Sequence, residues 1–201
     1  MRGLLEAVCE RIIEKVDALT LADRAIGDGD HGVAMRRGFA AALERLDSDE
    51  ALEPDAILTS VGAAVLAKAG GSAGAVFGTL FRSGGSGLAG DVLDANGFAL
   101  FLEQGLEAIE KRGGAHPGQK TMLDALAPAA EAARKSVGEG LPAASRAAAA
   151  AAREGMERTK AMVATTGKAK TLGERSLGHA DPGAVSMSLI LDAMRDHIGR
   201  A

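Results

Sequence analysis

Little in this sequence is large enough to fill a core. Of its 201 residues, 42 are Ala and 27 are Gly, none is Trp or Tyr, and only five are Phe. The 47% apolar content is therefore mostly small side chains. A core of that kind closes only if backbones pack near one another, and Ala, Leu, Glu, Arg and Lys are good helix formers. Val, Ile and Thr together number 25, few for a protein built on sheet. The expectation is all-α.

The spacing of the larger apolar residues supports this. Leu5, Val8, Ile12, Val16 and Leu19 recur at intervals of three or four, predicting a first helix over Leu4 to Leu21. Met35, Phe39, Leu43 and Leu46 predict a second. Pro54 suits the first turn of a third, with Ile57, Val61, Val65 and Leu66 inward. Ser72 is placed to cap a fourth, bearing Val76, Phe77, Leu80 and Phe81. Gly74 and Gly78 weaken that helix, so a neighbour should approach its backbone closely.

A fifth helix is predicted from Leu93 to Arg112, stopped by Gly113-Gly114. Thr121 can cap a sixth, Met122 to Val137, which Pro128 should kink. Pro142 opens a seventh that runs through an Ala-rich stretch to about Thr166. Asp181-Pro182 has the cap-then-first-turn order for an eighth, with Val185, Leu189 and Ile198 inward. The expectation is one domain over residues 1–201, an antiparallel up-and-down bundle of eight helices.

Composition excludes several partners. A formal charge of -4 offers no basic footprint for nucleic acid, and missing aromatics remove base-stacking platforms. No apolar run approaches a membrane span. Glu6 falls too early for a secretory signal, and the single cysteine, Cys9, fits a reducing cytoplasm.

Four inter-helix turns carry unusual residues. Asp23, Asp28 and Asp30 fall within eight residues, separated by glycines. Clustered carboxylates repel unless a cation or proton sits among them, and an all-oxygen set suits Mg²⁺. An acidic turn capping the next helix explains the same residues. Gly70-Gly71-Ser72-Ala73-Gly74 precedes a helix, where backbone N–H groups favour an anion; tight packing is the alternative. In the third turn, Gly113 to Asp124, His116 reads as a surface polar residue and Lys120 could be another. The fourth, Gly167 to Gly183, is a basic loop with Lys168 and Lys170 that could cover a phosphate, a solvated loop being the alternative; Asp181 suffices as its helix cap.

In an up-and-down bundle these turns follow helices one, three, five and seven, so all four share one end. Acid cluster, anion cradle, basic lid and capping Asp then meet at one rim, the makings of a metal–phosphate site.

Together the four turns resemble the nucleotide-binding L subunit of dihydroxyacetone kinase, or the equivalent C-terminal domain of single-chain forms. The matching stretches are Gly27-Asp28-Gly29-Asp30-His31-Gly32, Gly70 to Gly74 with Phe77-Gly78-Thr79, Pro117 to Met122, and Gly173 to Gly183, in family order. The resemblance implies an eight-helix barrel with ADP or ATP at one end. It implies two Mg²⁺ on Asp23, Asp28 and Asp30. It implies nucleotide or phosphate contacts at His31, Gly32, Val33, Ala34, Ser72, Ala73, Gly113, Met122, Asp181, Pro182 and Gly183. Lys168 stands where the family's lid often has arginine, and Ala34 where it often has asparagine. The family holds its ketose on a separate K subunit. Its phosphoryl donor is either exchanging ATP or a phosphotransferase-system M subunit that recharges bound ADP. Other readings of the acid cluster are a Mg²⁺-dependent phosphohydrolase and a fatty-acid-kinase relative. A structural or lipid-carrying helical protein would leave the three-Asp turn unexplained.

Overall fold

The structure is a computed structural model, and it describes residues 1–48, 53–88 and 93–200. Residues 49–52, 89–92 and 201, which the single-domain expectation includes, lie outside the described residues. The described residues form helices, with no strand among them.

The first expected helix is two. α1 (Arg2–Glu14) and α2 (Val16–Ile26) meet at Lys15, whose φ of -95° and ψ of 14° leave the helical range. The remaining α-helices are α3 (His31–Ser48), α4 (Pro54–Ala69), α5 (Gly71–Gly84), α6 (Ala95–Gly113), α7 (Leu123–Lys135), α8 (Leu141–Arg158) and α9 (Pro182–Ile198). With α1 and α2 counted as one bent rod, the described residues give the expected set of eight. Successive helices pack side by side from α3 to α9, and α1 packs on both α3 and α9. The row therefore closes into a barrel around one apolar core.

Small residues set the packing. Ala125, Ala129 and Ala133 of α7 and Ala144, Ala148 and Ala152 of α8 are wholly buried. A Cβ on Gly78 would stand 2.7 Å from Leu66 Cβ and 2.9 Å from the Gly62 carbonyl. That is the close approach expected of α5. Four apolar large groups, Phe39, Phe77, Phe81 and Phe98, fill what the alanines leave.

Several boundaries differ from expectation for local reasons. Asp94 caps α6 by accepting from Gly97 N at 2.7 Å, so that helix starts at Ala95 rather than Leu93. Ser72 is not the cap of α5: Gly70 holds that position with φ 72°, and Ser72 sits in the first turn. α7 begins one residue past Met122, with Thr121 Oγ1 accepting from Leu123 N and Thr121 N donating to the Asp124 carboxylate. Pro128 lies inside α7 without ending it. α8 stops at Arg158, well short of Thr166. There Thr159 Oγ1 turns back to the Met156 carbonyl, and the Lys120 ammonium takes the carbonyls of Thr159 and Met162. On α9 the buried face is Ala184, Met187, Ile190, Leu191 and Met194, with Val185, Leu189 and Ile198 half-buried beside it.

Candidate functional site

A cleft of about 400 Å³ opens at the end of the barrel where the four unusual turns meet. Its wall takes in Asp23, Asp30 and His31 from the α2–α3 turn and Gly70 to Ala73 from the α4–α5 turn. Gly113 and Met122 come from the α6–α7 turn, and Lys168 and Asp181 to Gly183 from the stretch between α8 and α9. Counting helices thus placed the turns at one end correctly.

The acid turn is shaped by Asp23, which is buried near the end of α2. Its carboxylate accepts from the His31 backbone N–H at 3.1 Å and so caps α3. Its carbonyl accepts from Gly27 N, and a Cβ on Gly27 would collide with the Asp23 carboxylate. Glycine is required there, and Gly29 (φ 79°) then turns the chain. The result gathers carboxylate oxygens of Asp23, Asp28 and Asp30 within 4.8 Å of one another. Asp28 and Asp30 are exposed, so the set is open on the cleft side. Three hard oxygen donors at that spacing fit a small divalent cation with positions left for other ligands.

Opposite lies the glycine turn. Gly70 and Gly71 (φ 72° and 58°) adopt left-handed conformations, and a Cβ on either would meet only open space. The first N–H groups of α5 have no intrahelical acceptor, and the residues that bear them line the cleft. Arg37 spans the two sides. It follows Ala34 on α3, two turns past Asp30 at the helix's start, lines the cleft, and donates to the Ala69 carbonyl at 3.0 Å. Sequence reading passed over it, although its place seven residues after Asp30 puts it on the site's face. Also passed over were Val76, Phe77 and Ile109, which with Met122 give the cleft an apolar wall suited to a flat ring.

The expected residues are not all equivalent. Ala34, Ser72, Ala73, Pro182 and Gly183 line the cleft. Asp28 joins through the acid cluster. Gly32 and Val33 are not in the cleft wall: Gly32 packs against Thr20 and Val16 of α2, and Val33 is 41% exposed. What they can offer a ligand is first-turn backbone N–H. His31 turns inward, its Nε2 2.7 Å from Ser186 Oγ and its ring 6.4 Å from that of Phe77. Burial lowers its pKa, against the opposing pull of Asp23 and Asp30, so the imidazole is neutral at pH 7.

The basic loop expected as a lid is two 3-10 turns within Lys168–Ser176, broken at Gly173 (φ 53°, ψ -129°). Lys168 Nζ lies 2.5 Å from Asp28 Oδ2 and 3.3 Å from Asp30 Oδ2. The hydrogen bond holds Asp28 below, and Lys168 above, their ordinary pKa values. Asp181 caps α9 through Ala184 N at 2.8 Å. Its burial, with Asp124 nearby, pushes its pKa up to about 7.

Lys120 corrects the surface reading. It is buried, and its ammonium donates to the carbonyls of Thr159, Met162 and His179 at 2.6, 3.1 and 2.7 Å. Its three protons are all used, and burial lowers its pKa. Lys120 therefore ties the α6–α7 turn to the root of the lid. His116 is the exposed residue expected, 3.2 Å from Glu110.

Fold and site together define a class: a closed all-helical barrel with acid, glycine and basic turns around one mouth. The DAK2 domain matches the chain over residues 25–196. The chain is 38% identical over 187 residues to the ADP-binding subunit DhaL of PEP-dependent dihydroxyacetone kinase 1 from Listeria innocua, covering 92% of this chain and 89% of that one. It is 37% identical over 179 residues to the corresponding Escherichia coli subunit, covering 88% and 85%. A D-erythrulose kinase of Mycolicibacterium smegmatis is 36% identical over 197 residues, 95% of this chain and 34% of that enzyme. Among solved structures, the dihydroxyacetone kinase of C. freundii in complex with AMP-PNP and Mg²⁺ superposes with a TM-score of 0.76 at 25% identity, over 98% of this chain and 33% of that one. The chain belongs to the DAK2 domain family, as a DhaL-type kinase subunit.

Proposed function

We propose that this chain is the nucleotide-binding subunit of a dihydroxyacetone-type kinase, a single domain that presents ADP or ATP to a small ketose held on a separate K subunit. The observation that carries this is the meeting of the three-carboxylate cluster with the glycine turn in one cleft. Phosphoryl transfer needs positioning and charge neutralisation more than covalent chemistry from the protein.

In this reading Asp23, Asp28 and Asp30 hold two Mg²⁺, which supply charge neutralisation to the phosphates when bound. The N–H groups of Ser72 and Ala73, with those opening α3, receive phosphate oxygens. Met122, Val76, Phe77 and Ile109 pack the base, while Gly113 and the Asp181-Pro182-Gly183 cap give the nucleotide room at the wall. Lys168 covers the phosphates from the lid. Neutral His31, hydrogen-bonded to Ser186, keeps the start of α3 in place. Among the described residues no group is placed as the base for the ketose hydroxyl, which fits a subunit that works only with its partner. The names of the Listeria and Escherichia relatives, PEP-dependent kinases with an ADP-binding subunit, favour phosphoenolpyruvate as the ultimate donor; in this reading an M subunit delivers the phosphoryl group onto bound ADP.

The test mixes the purified chain with a K subunit, dihydroxyacetone and Mg²⁺, and supplies either ATP or the phosphoenolpyruvate relay. Turnover is expected from the mixture and not from this chain alone, with ADP retained through gel filtration when the relay is the donor. Ketose phosphorylation by this chain alone would refute the division of labour.

A further inference from the structure

The acid turn already holds a cation. Lys168 Nζ reaches both exposed carboxylates, Asp28 at 2.5 Å and Asp30 at 3.3 Å, from 140 and 138 residues away in the chain. Asp28 and Asp30, with Asp23, are the oxygen set gathered within 4.8 Å. An ammonium is a compact point charge with three donors, so one nitrogen can serve two carboxylates. A planar guanidinium spreads its charge over a fork and does not fit a space sized for a small ion in that way.

The lid bearing this lysine has a fixed root and a lightly held tip. At the root, Ser176 Oγ donates to the Gly173 carbonyl at 2.7 Å and accepts from Ala164 N at 3.0 Å. Gly178 N donates to the Lys160 carbonyl at 2.8 Å. At the tip, Gly167 turns with φ 66° and the hydrogen bonds given for the backbone are local, Lys170 N to the Gly167 carbonyl and Thr171 Oγ1 to the Lys168 carbonyl; among the described residues the Lys168 ammonium reaches across to its two aspartates.

We propose that Lys168 is the resident counter-cation of the acid turn, and that a divalent cation entering the turn displaces it and releases the lid tip. This rests on the reading of the acid turn as a metal site. Displacement gives the protein an order of events. Without a metal the tip is latched over the cleft and one of the turn's three negative charges is offset. With a metal the ammonium is free to turn toward the phosphates that arrive with the nucleotide. A competing internal cation also raises the metal concentration needed to fill the site.

The test uses Mn²⁺ alone, titrated by electron paramagnetic resonance into the full chain and into Lys168→Met and Lys168→Gln. Lys168 is exposed, so both variants should fold. Exposed ion pairs are individually weak, and the variants should bind Mn²⁺ about three- to tenfold more tightly than the parent. Amide exchange over residues 166–172 should rise on Mn²⁺ addition in the parent. In the variants it should start high and stay there. Equal or weaker Mn²⁺ binding by both variants, with a lid indifferent to the metal, would overturn the displacement while leaving the metal site intact. If no form takes up Mn²⁺, the metal reading fails and the displacement with it.

Discussion

Asp181 and Lys120 differ in what a sequence discloses about a residue. Asp181 was legible as a cap because Asp-Pro in that order has a local meaning, and its carboxylate does accept from Ala184 N. Its half-buried place at the cleft wall beside Asp124 was not legible. With a pKa raised from 3.8 to about 7, Asp181 binds a proton more readily in the folded than in the unfolded protein. Its contribution to stability is therefore fullest below about pH 4 and is lost as pH rises to about 7. Asp181→Asn keeps an oxygen for the cap and removes the titration. The stability difference, parent minus variant, should fall between about pH 4 and 7 and level off above, as read by urea unfolding at half-unit steps. A flat difference would show that the carboxyl titrates normally. Lys120 was misread for a plainer reason: its three carbonyls lie 39, 42 and 59 residues further along the chain. Nothing near it in sequence announces them. Its φ of 62°, unusual for a side chain with a Cβ, is a further sign that tertiary bonds fix this turn.

At the scale of helices, period and punctuation carried most of the outcome, and the misses came from contacts outside the local stretch. Apolar spacing alone could not reveal the break at Lys15, since Val16 and Leu19 continue the phase across it. The early end of α8 depends on Lys120. The glycines of α5 were read correctly because a helix interior tolerates them only with a packing reason. That reason is the α4–α5 crossing, where a Cβ on Gly62 would run into the Arg82 backbone and one on Gly78 would meet Leu66 and the Gly62 carbonyl. Gly78→Ala should cost about 1–3 kcal/mol despite the better helix propensity of alanine, because the clash is with packed backbone. Equilibrium unfolding would show a lower urea midpoint with an unchanged slope. A stabilised Gly78→Ala would mean that the two helices can separate freely.

For the molecule as a whole, the informative step was counting. Turns far apart in sequence share an end because they leave alternate helices in the same direction, and the cleft collects all four. What counting could not supply was the interior of the site. Arg37 and the Val76, Phe77 and Ile109 wall sit on helix faces, where cleft and core look alike in a periodic pattern. The same geometry separates site from scaffold within the acid turn. Asp23 serves both, because its carboxylate caps α3 as well as facing the cluster. Asp30 serves the fold only through its backbone carbonyl, which accepts from Ala34 N and survives any side-chain change. Its side chain is 68% exposed and its partner there is Lys168. Asp30→Ala should therefore leave far-ultraviolet dichroism unchanged and shift stability by no more than about 1 kcal/mol, the range of an exposed ion pair. Calorimetry with ADP and Mg²⁺ should read a different scale of effect. Removing one of the three carboxylates proposed as ligands should weaken Mg²⁺-dependent ADP uptake by more than the roughly 10- to 100-fold that losing an outer-shell partner costs. Should helicity and ADP uptake fall together, the turn is a cap for α3 before it is anything else. Should neither fall, the metal lies elsewhere, and the barrel mouth loses its claim to the phosphoryl chemistry.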